Sequence, residues 1–271
     1  MMMKESKWLD QDDGPNRLSE HQSRRETTYL GYRQVSTDEK ARYVLRHFNK
    51  IARRYDLMNT LLSLGIHHLW KHAAVKMLEL NPGDRVLDVC CGTGDLALLA
   101  GRVVGPSGQV IVYDINRSMI DIGRHKASGG ASGKHIRFVQ GDAEQISFAD
   151  KSFAAAMVGF GIRNVPRMDQ GLQEMYRILK PGGKIMCLEF SKPTAPLFRQ
   201  LYDIYSFYVM PLLGGIIVGS RKAYMHLVES IRTFVLPGEL TAMLEQVGFS
   251  QVTTRNLTNG IAVIHMAVKE R

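Results

Sequence analysis

Between Asn81-Pro82-Gly83 and Lys180-Pro-Gly-Gly183, two strong breakers, short β-branched and apolar runs alternate with longer amphipathic stretches. Few folds accept that alternation. The pattern predicts strands over Arg85–Cys90, Gln109–Tyr113, Ile136–Val139, Phe153–Val158 and, past the second breaker, Lys184–Phe190. Helices are expected over Leu96–Val104, Ser118–Lys126 and Met168–Leu179. Strands joined through helices run parallel and need helices on both faces of the sheet. A last helix, Pro237–Val247, leads into Phe249–Leu257 and Ile261–Val268, joined by Thr258-Asn-Gly260, where Asn-Gly signals a hairpin. The expectation is an α/β fold: a doubly wound, mostly parallel sheet ending in an antiparallel hairpin.

Residues 1–40 are polar and without periodicity, so they read as a flexible extension ahead of a domain over residues 41–271. Helical spacing begins near Asp38 with Tyr43, Val44, Phe48 and Ile51, and resumes from Leu57 to Leu80. Residues 193–235 interrupt the alternation and are rich in aromatic residues, as a helical insertion would be. No repeat with a period of 20 to 50 residues is present.

With 45% apolar and 23% charged residues among 271, the composition is that of an ordinary globular chain, which excludes collagen-like, coiled-coil and wholly disordered classes. Cys90, Cys91 and Cys187 form no C-x-x-C pair, which favours a reducing, cytoplasmic setting. The first residues lack the apolar core of a secretory signal. The longest apolar run, Tyr208 to Val218, is short and broken by Pro211, Gly214 and Gly215, so no membrane span is expected. Lys and Arg outnumber Asp and Glu by 35 to 26, a formal charge of +9. That excess suits peripheral contact with an anionic membrane, while the lack of basic blocks argues against a nucleic-acid partner. A homo-oligomer is left open.

Val86-Leu-Asp-Val-Cys-Cys-Gly-Thr-Gly-Asp95 carries the chemistry. Glycines such as Gly92 and Gly94, between a strand and a helix, let a ligand approach the backbone at the carboxyl edge of the sheet. Asp114 ends the second strand, where a carboxylate accepts hydrogen bonds from ribose hydroxyls. Asp142 follows the third strand, beside the place of an adenine amino group. Gly92-Thr-Gly-Asp-Leu-Ala97 also fits the dinucleotide pattern, a weak signal alone. Asp88 argues against it, because a pyrophosphate would meet a negative charge there; a cationic ligand with a free amine suits that carboxylate better. S-adenosylmethionine, with its sulfonium, amino-acid tail, ribose and adenine, meets these acids in order.

With those residues in place, the chain resembles the class I methyltransferases, which have a Rossmann-like fold. It is most similar to the ubiquinone/menaquinone biosynthesis C-methyltransferases, from about Tyr43 onward. The specific segments are Tyr55-Asp-Leu-Met-Asn59, Phe160-Gly-Ile-Arg-Asn-Val165 and Leu188-Glu-Phe-Ser-Lys-Pro193, and Leu64-Gly-Ile-His-His-Leu-Trp-Lys71, Tyr202-Asp-Ile-Tyr-Ser-Phe207 and Glu229-Ser-Ile-Arg232 add to them. The glycine turn, Asp114-Ile-Asn116 and Met175-Tyr-Arg-Ile-Leu-Lys-Pro-Gly-Gly183 complete the likeness. The resemblance implies cofactor contacts at Thr93, Asp114, Asp142, Ala143 and Gly159. Relatives often carry serine at the position of Gly159, and many methyltransferases carry glycine at that of Cys90.

The implied reaction is C-methylation of a prenylated quinol, demethylmenaquinol first and the benzoquinol of ubiquinone synthesis as the alternative. The ring carbon becomes nucleophilic once a neighbouring hydroxyl loses its proton, so positioning and charge stabilisation suffice and no metal is expected. Arg163 is the candidate to stabilise the phenolate or order a water, and Asn164 to bond a quinol oxygen. The family match brings Tyr55 and Asp56 over the pocket, with Asp56, His67 and His68 as candidate bases. The aromatic insertion is a candidate wall for the prenyl tail. Rival classes remain: a methyltransferase acting on RNA or another small acceptor, a nicotinamide-dependent oxidoreductase, and a non-catalytic scaffold. Salt-sensitive RNA binding, calorimetry with NAD(H) and absence of turnover would distinguish these, respectively.

Overall fold

A computed structural model describes residues 27–129 and 131–270. Its centre is a seven-stranded sheet of β3 (Arg85–Val89), β4 (Gln109–Asp114), β5 (Ile136–Gln140), β6 (Phe153–Gly159), β7 (Leu179–Phe190), β8 (Phe249–Leu257) and β9 (Ala262–Lys269). The spatial order is β5-β4-β3-β6-β7-β9-β8. Strands β3 to β7 pair in parallel, whereas β9 runs antiparallel to both β7 and β8. This is the mostly parallel, Rossmann-like sheet with a terminal hairpin. The chain steps outward from β3 to β5 and returns on the other side at β6. That reversal opens a crevice at the carboxyl ends of the central strands, where ligands bind in such sheets.

Strand parity explains the two core layers. Leu87, Val89, Ile111 and Tyr113 point to the face that also buries Leu172 and Met175 of one helix and Leu240 and Leu244 of another. Val86, Val110, Val112 and Met157 point to the opposite face, against Trp70, Ala74, Ala97 and Ala100. In chain order the helices are α1 (Thr37–Ile51), α2 (Tyr55–Leu62), α3 (Ile66–Leu78), α4 (Asp95–Val104), α5 (Arg117–Ser128), α6 (Met168–Ile178), α7 (Pro196–Ile204), α8 (Met210–Val218), α9 (Arg221–Arg232) and α10 (Pro237–Val247). A π-turn over Tyr205–Val209 joins α7 to α8 without a break in the rod. Pro211, just past the π-turn, offers no N–H to the carbonyls of that turn. Arg232, wholly buried, pins the rod by pairing with Asp203 and reaching Ser206 Oγ at 3.0 Å.

One expectation needs correction. The polar extension does not run to residue 40: β1 (Thr27–Leu30) and β2 (Arg33–Ser36) form an antiparallel hairpin, and α1 follows directly. Leu30 and Val35 are buried although their neighbours are polar, and so short an apolar signal does not register in a composition average. Ser36 caps α1 by accepting from Glu39 N at 3.1 Å. Residues 1–26 lie outside the described residues.

Candidate active site

Two cavities meet at the carboxyl edge of the sheet. The first, about 180 Å³, is lined by Gly92, Asp114, Asn116, Asp142, Ala143 and Glu144 from the strand ends. The second, about 340 Å³, is walled by α1 to α3 and the α7–α9 helices, and includes His47, Arg163, Tyr202, His226 and Leu227. Val44, Phe48, Tyr55, Phe160 and Asn164 line both. The strand-end acids therefore lie one side-chain layer from a mostly apolar chamber.

Glycine at 92 is required by its φ of +58°, and its N–H donates to Asp114 Oδ2 at 2.8 Å. Asp114 Oδ1 accepts from Asn116 N at 2.7 Å, so the carboxylate braces two turns at once. Burial pushes the Asp114 carboxyl above its usual range, partly opposed by those two bonds. Asp142 Oδ1 accepts from Glu144 N at 2.9 Å, and Glu144 in turn pairs with Arg167 at 2.7 Å. Hydroxyl and amine donors suit such an acid-lined cavity; a phosphate does not.

Four of the residues expected at the cofactor, and Asp56 from the expected catalytic set, stand away from the walls of the strand-end cavity. Asp88 faces the α3–α4 layer by strand parity, is wholly buried, and accepts from Ala97 N at 3.0 Å. Its other oxygen has no hydrogen-bond partner among the described residues, and burial pushes its carboxyl well up. It therefore braces the start of α4 and does not reach toward a ligand amine. Thr93 is buried and donates to Asp56 Oδ1 at 2.6 Å. Asp56 itself binds Lys126 at 2.9 Å, and Lys126 also pairs with Asp95, which binds Lys71 at 2.6 Å. Asp56 is thus a strut holding α2 on the glycine turn. Gly94 caps α4 at φ +78°. At Gly159 a Cβ would come within 2.5 Å of Leu96 Cδ1, so Leu96 occupies the space a serine would need.

Cys90 adopts a left-handed φ of +52° where glycine is easier. Gly161 supplies the compensation, since a Cβ there would meet Cys90 Cβ at 2.5 Å. Burial raises both the Cys90 and Cys91 thiols well above normal, which leaves them poor nucleophiles.

At the apolar chamber, the Arg163 side chain is 6% exposed and its Nη1 lies 2.7 Å from Glu189 Oε1. The same nitrogen donates to Phe160 O at 2.5 Å, and the guanidinium lies over the Phe190 ring. Burial raises the Glu189 carboxyl, and Arg163 pulls it back. Sequence reasoning named Arg163, Asn164 and Tyr55 but missed this acid. A charged residue inside the buried run Ile185-Met-Cys-Leu-Glu-Phe190 was the available signal.

His47 and His226 were missed as well. Their rings lie 5.6 Å apart, both near Tyr43, on helices distant in sequence. Burial and the Arg163 charge bring His47 down to about 4. Burial, then His47 and Arg163, bring His226 to about 3. Both are neutral at pH 7 and able to accept a hydrogen bond. His67 is held by Ser63 Oγ at 2.7 Å and lowered to about 4, chiefly by burial. Donor atoms of His67, His68 and Asp95 cluster within 4.8 Å, but the two lysines on Asp95 oppose a cation there.

The model of the ubiE/COQ5 methyltransferase family matches residues 34–269. The chain belongs to that family. A relative from Hahella chejuensis, the ubiquinone/menaquinone biosynthesis C-methyltransferase UbiE, is 44% identical over 245 residues, covering 90% of this chain and 98% of the relative. Among solved structures, a SAM-dependent methyltransferase from Thermotoga maritima matches with a TM-score of 0.60 at 18% identity, over 83% of this chain and 99% of that one. The [4+2]-cyclase SpnF matches with a TM-score of 0.62 at 16% identity, over 84% and 95%. A cyclase and a methyltransferase on one framework show that these likenesses establish the fold, while the family establishes the kind of catalyst.

Proposed function

We propose that the chain methylates a ring carbon of a prenylated quinol, with demethylmenaquinol as the first candidate and the ubiquinone-pathway benzoquinol as the second. The observation that carries this reading is the contact of an acid-lined cavity with an apolar chamber across Phe160 and Asn164. The name of the Hahella relative covers both quinones and favours neither.

The methyl donor is S-adenosylmethionine, which when bound supplies an electrophilic methyl group on a sulfonium. Asp114 and Asp142 would hold its hydroxyl and amino donors, with Gly92 and Ala143 giving close backbone approach. In the chamber, Arg163 places a guanidinium where a quinol oxygen gains negative charge, and Glu189 holds it in that orientation. Asn164, on the shared wall, orients a ring oxygen. The neutral rings of His47 and His226 accept hydrogen bonds from a quinol hydroxyl and weaken its O–H bond. Tyr55 and Phe48 pack against the ring and exclude water.

The test is transfer of labelled methyl from S-adenosylmethionine, with reduced demethylmenaquinone and the demethylated benzoquinol offered side by side. Label in a quinol supports the reading and identifies the ring. Label in neither, with the methyl donor still bound, overturns it.

A further inference from the structure

The rod from Pro196 to Val218 wears its apolar side chains on the outside. Leu197, Leu201, Ile204, Tyr208, Leu212 and Ile216 follow at steps of four, three, four, four and four residues, and all are exposed, Leu197 at 70% and Ile216 at 72%. A uniform α-helix would let steps of four drift around the axis. The π-turn between Ile204 and Met210 turns less per residue and brings the row back onto one face. The row extends about 29 Å at the usual rise per residue.

A second row lies beside it. Leu57, Leu61 and Leu64 are exposed on and just after α2, with Leu64 at 93%. Tyr205 Oη donates to Leu62 O at 2.5 Å and joins the two helices. Leu64 and Leu201 also line the apolar chamber, so the chamber reaches the surface between the rows. Exposed basic residues flank this face: Lys50, Arg53 and Arg54 ahead of α2, Arg221 and Lys222 after α8. Its two acids, Asp56 and Asp203, are paired with Lys126 and Arg232.

We infer that these two rows dock on an anionic lipid bilayer, seating the chamber mouth at the membrane so that a lipid acceptor enters without crossing water. An apolar stripe framed by cations matches acyl chains beneath anionic headgroups. A second copy of this chain would bring the same cations against themselves. The inference deepens the quinol reading by assigning the route of the acceptor, and it rests on that reading for the acceptor's lipid nature.

Flotation of the full chain with quinone-free vesicles tests the surface separately from the chemistry. The probes are phosphatidylcholine vesicles with and without about 30% phosphatidylglycerol. The wild-type chain is expected to float with the anionic vesicles and to dissociate as salt rises. Leu197→Glu/Tyr208→Glu/Ile216→Glu is expected to weaken binding at least ~10-fold while preserving methyl transfer to a water-soluble short-chain quinol. Arg53→Glu/Arg54→Glu/Lys222→Glu, which leaves the apolar rows intact, should reduce anionic binding to the level on pure phosphatidylcholine. Wild-type protein that ignores both vesicles, or a Leu197→Glu/Tyr208→Glu/Ile216→Glu variant that floats unchanged, overturns the inference. So does a dimer that the same variant dissolves while vesicles bind neither form. Vesicle binding without methylation of any quinol would instead count against the quinol reading alone.

Discussion

Replacing Glu189 with glutamine removes the counter-charge of Arg163 while preserving shape. The carboxylate is 2% exposed and the guanidinium 6%, so neither charge is relieved by water. Stripping one partner from such a pair costs about 3–5 kcal/mol, because the other charge stays buried alone. The glutamine oxygen can still accept from Nη1 and from Phe190 N, bonds of 2.7 and 2.9 Å in the structure, which places the cost near the lower limit. Its amide nitrogen would face the Arg163 N–H, donor against donor, where Oε2 lies 3.5 Å away. A loss of about 3 kcal/mol lowers the melting temperature by roughly 6–12 °C for a chain of this size. Removing both charges, Arg163→Leu/Glu189→Leu, should return stability to within about 1 kcal/mol of wild type. The same double variant should lose about 10²–10³-fold in kcat with donor binding intact. Calorimetric melting, binding titration and the methyl-transfer assay together read these outcomes. A neutral Glu189→Gln, or additive losses in the double variant, would refute the account of the pair.

Gly161→Ala forces a Cβ within 2.5 Å of Cys90 Cβ and should cost about 1–3 kcal/mol in chemical denaturation; Cys90→Gly in the same chain should restore most of it. Asp114→Ala removes the brace on the glycine turn and the one on Asn116; calorimetry should show S-adenosylmethionine affinity falling at least ~10-fold, with a loss of about 1–3 kcal/mol in stability from the N–H groups left without an acceptor. His47, His67 and His226 have folded pKa values lowered to about 4, about 4 and about 3. The unfolded chain then binds more protons between pH 6.5 and 4, so stability is complete above about pH 6.5 and falls as pH drops toward 4. The slope near pH 5 has a ceiling of about 4 kcal/mol per pH unit, roughly halved by solvent at the partly exposed rings; a flat urea-stability profile over that range would contradict it.

The sheet was legible because each parallel strand carries a short apolar run, and β4, β5 and β6 end at or next to a glycine or an acid. Asp114 and Asp142 could be placed at the crevice from sequence because they stand at strand ends, where that cavity opens. Asp88 lies one step inside β3, and period-two geometry sends it to the α3–α4 face, where it accepts from Ala97 N. Thr93 and Asp56 look like ligand contacts in sequence, yet α2 folds back and joins them to each other. The β1–β2 hairpin was hidden by polar neighbours around Leu30 and Val35. His47 and His226 could not be paired in sequence, since only the packing of α1 on α9 unites them.

The shared wall of Val44, Phe48, Tyr55, Phe160 and Asn164 has a thermodynamic consequence. A side chain that tightens around an occupant of one cavity alters the surface offered to the other. With donor and acceptor seated in the two cavities as proposed, their affinities would be coupled, and linkage requires the coupling to be the same in either order of binding. Three of the five residues come from α1 and α2, outside the sheet that carries the strand-end acids. In the proposed function the N-terminal helices would be the joint through which donor and acceptor sense each other.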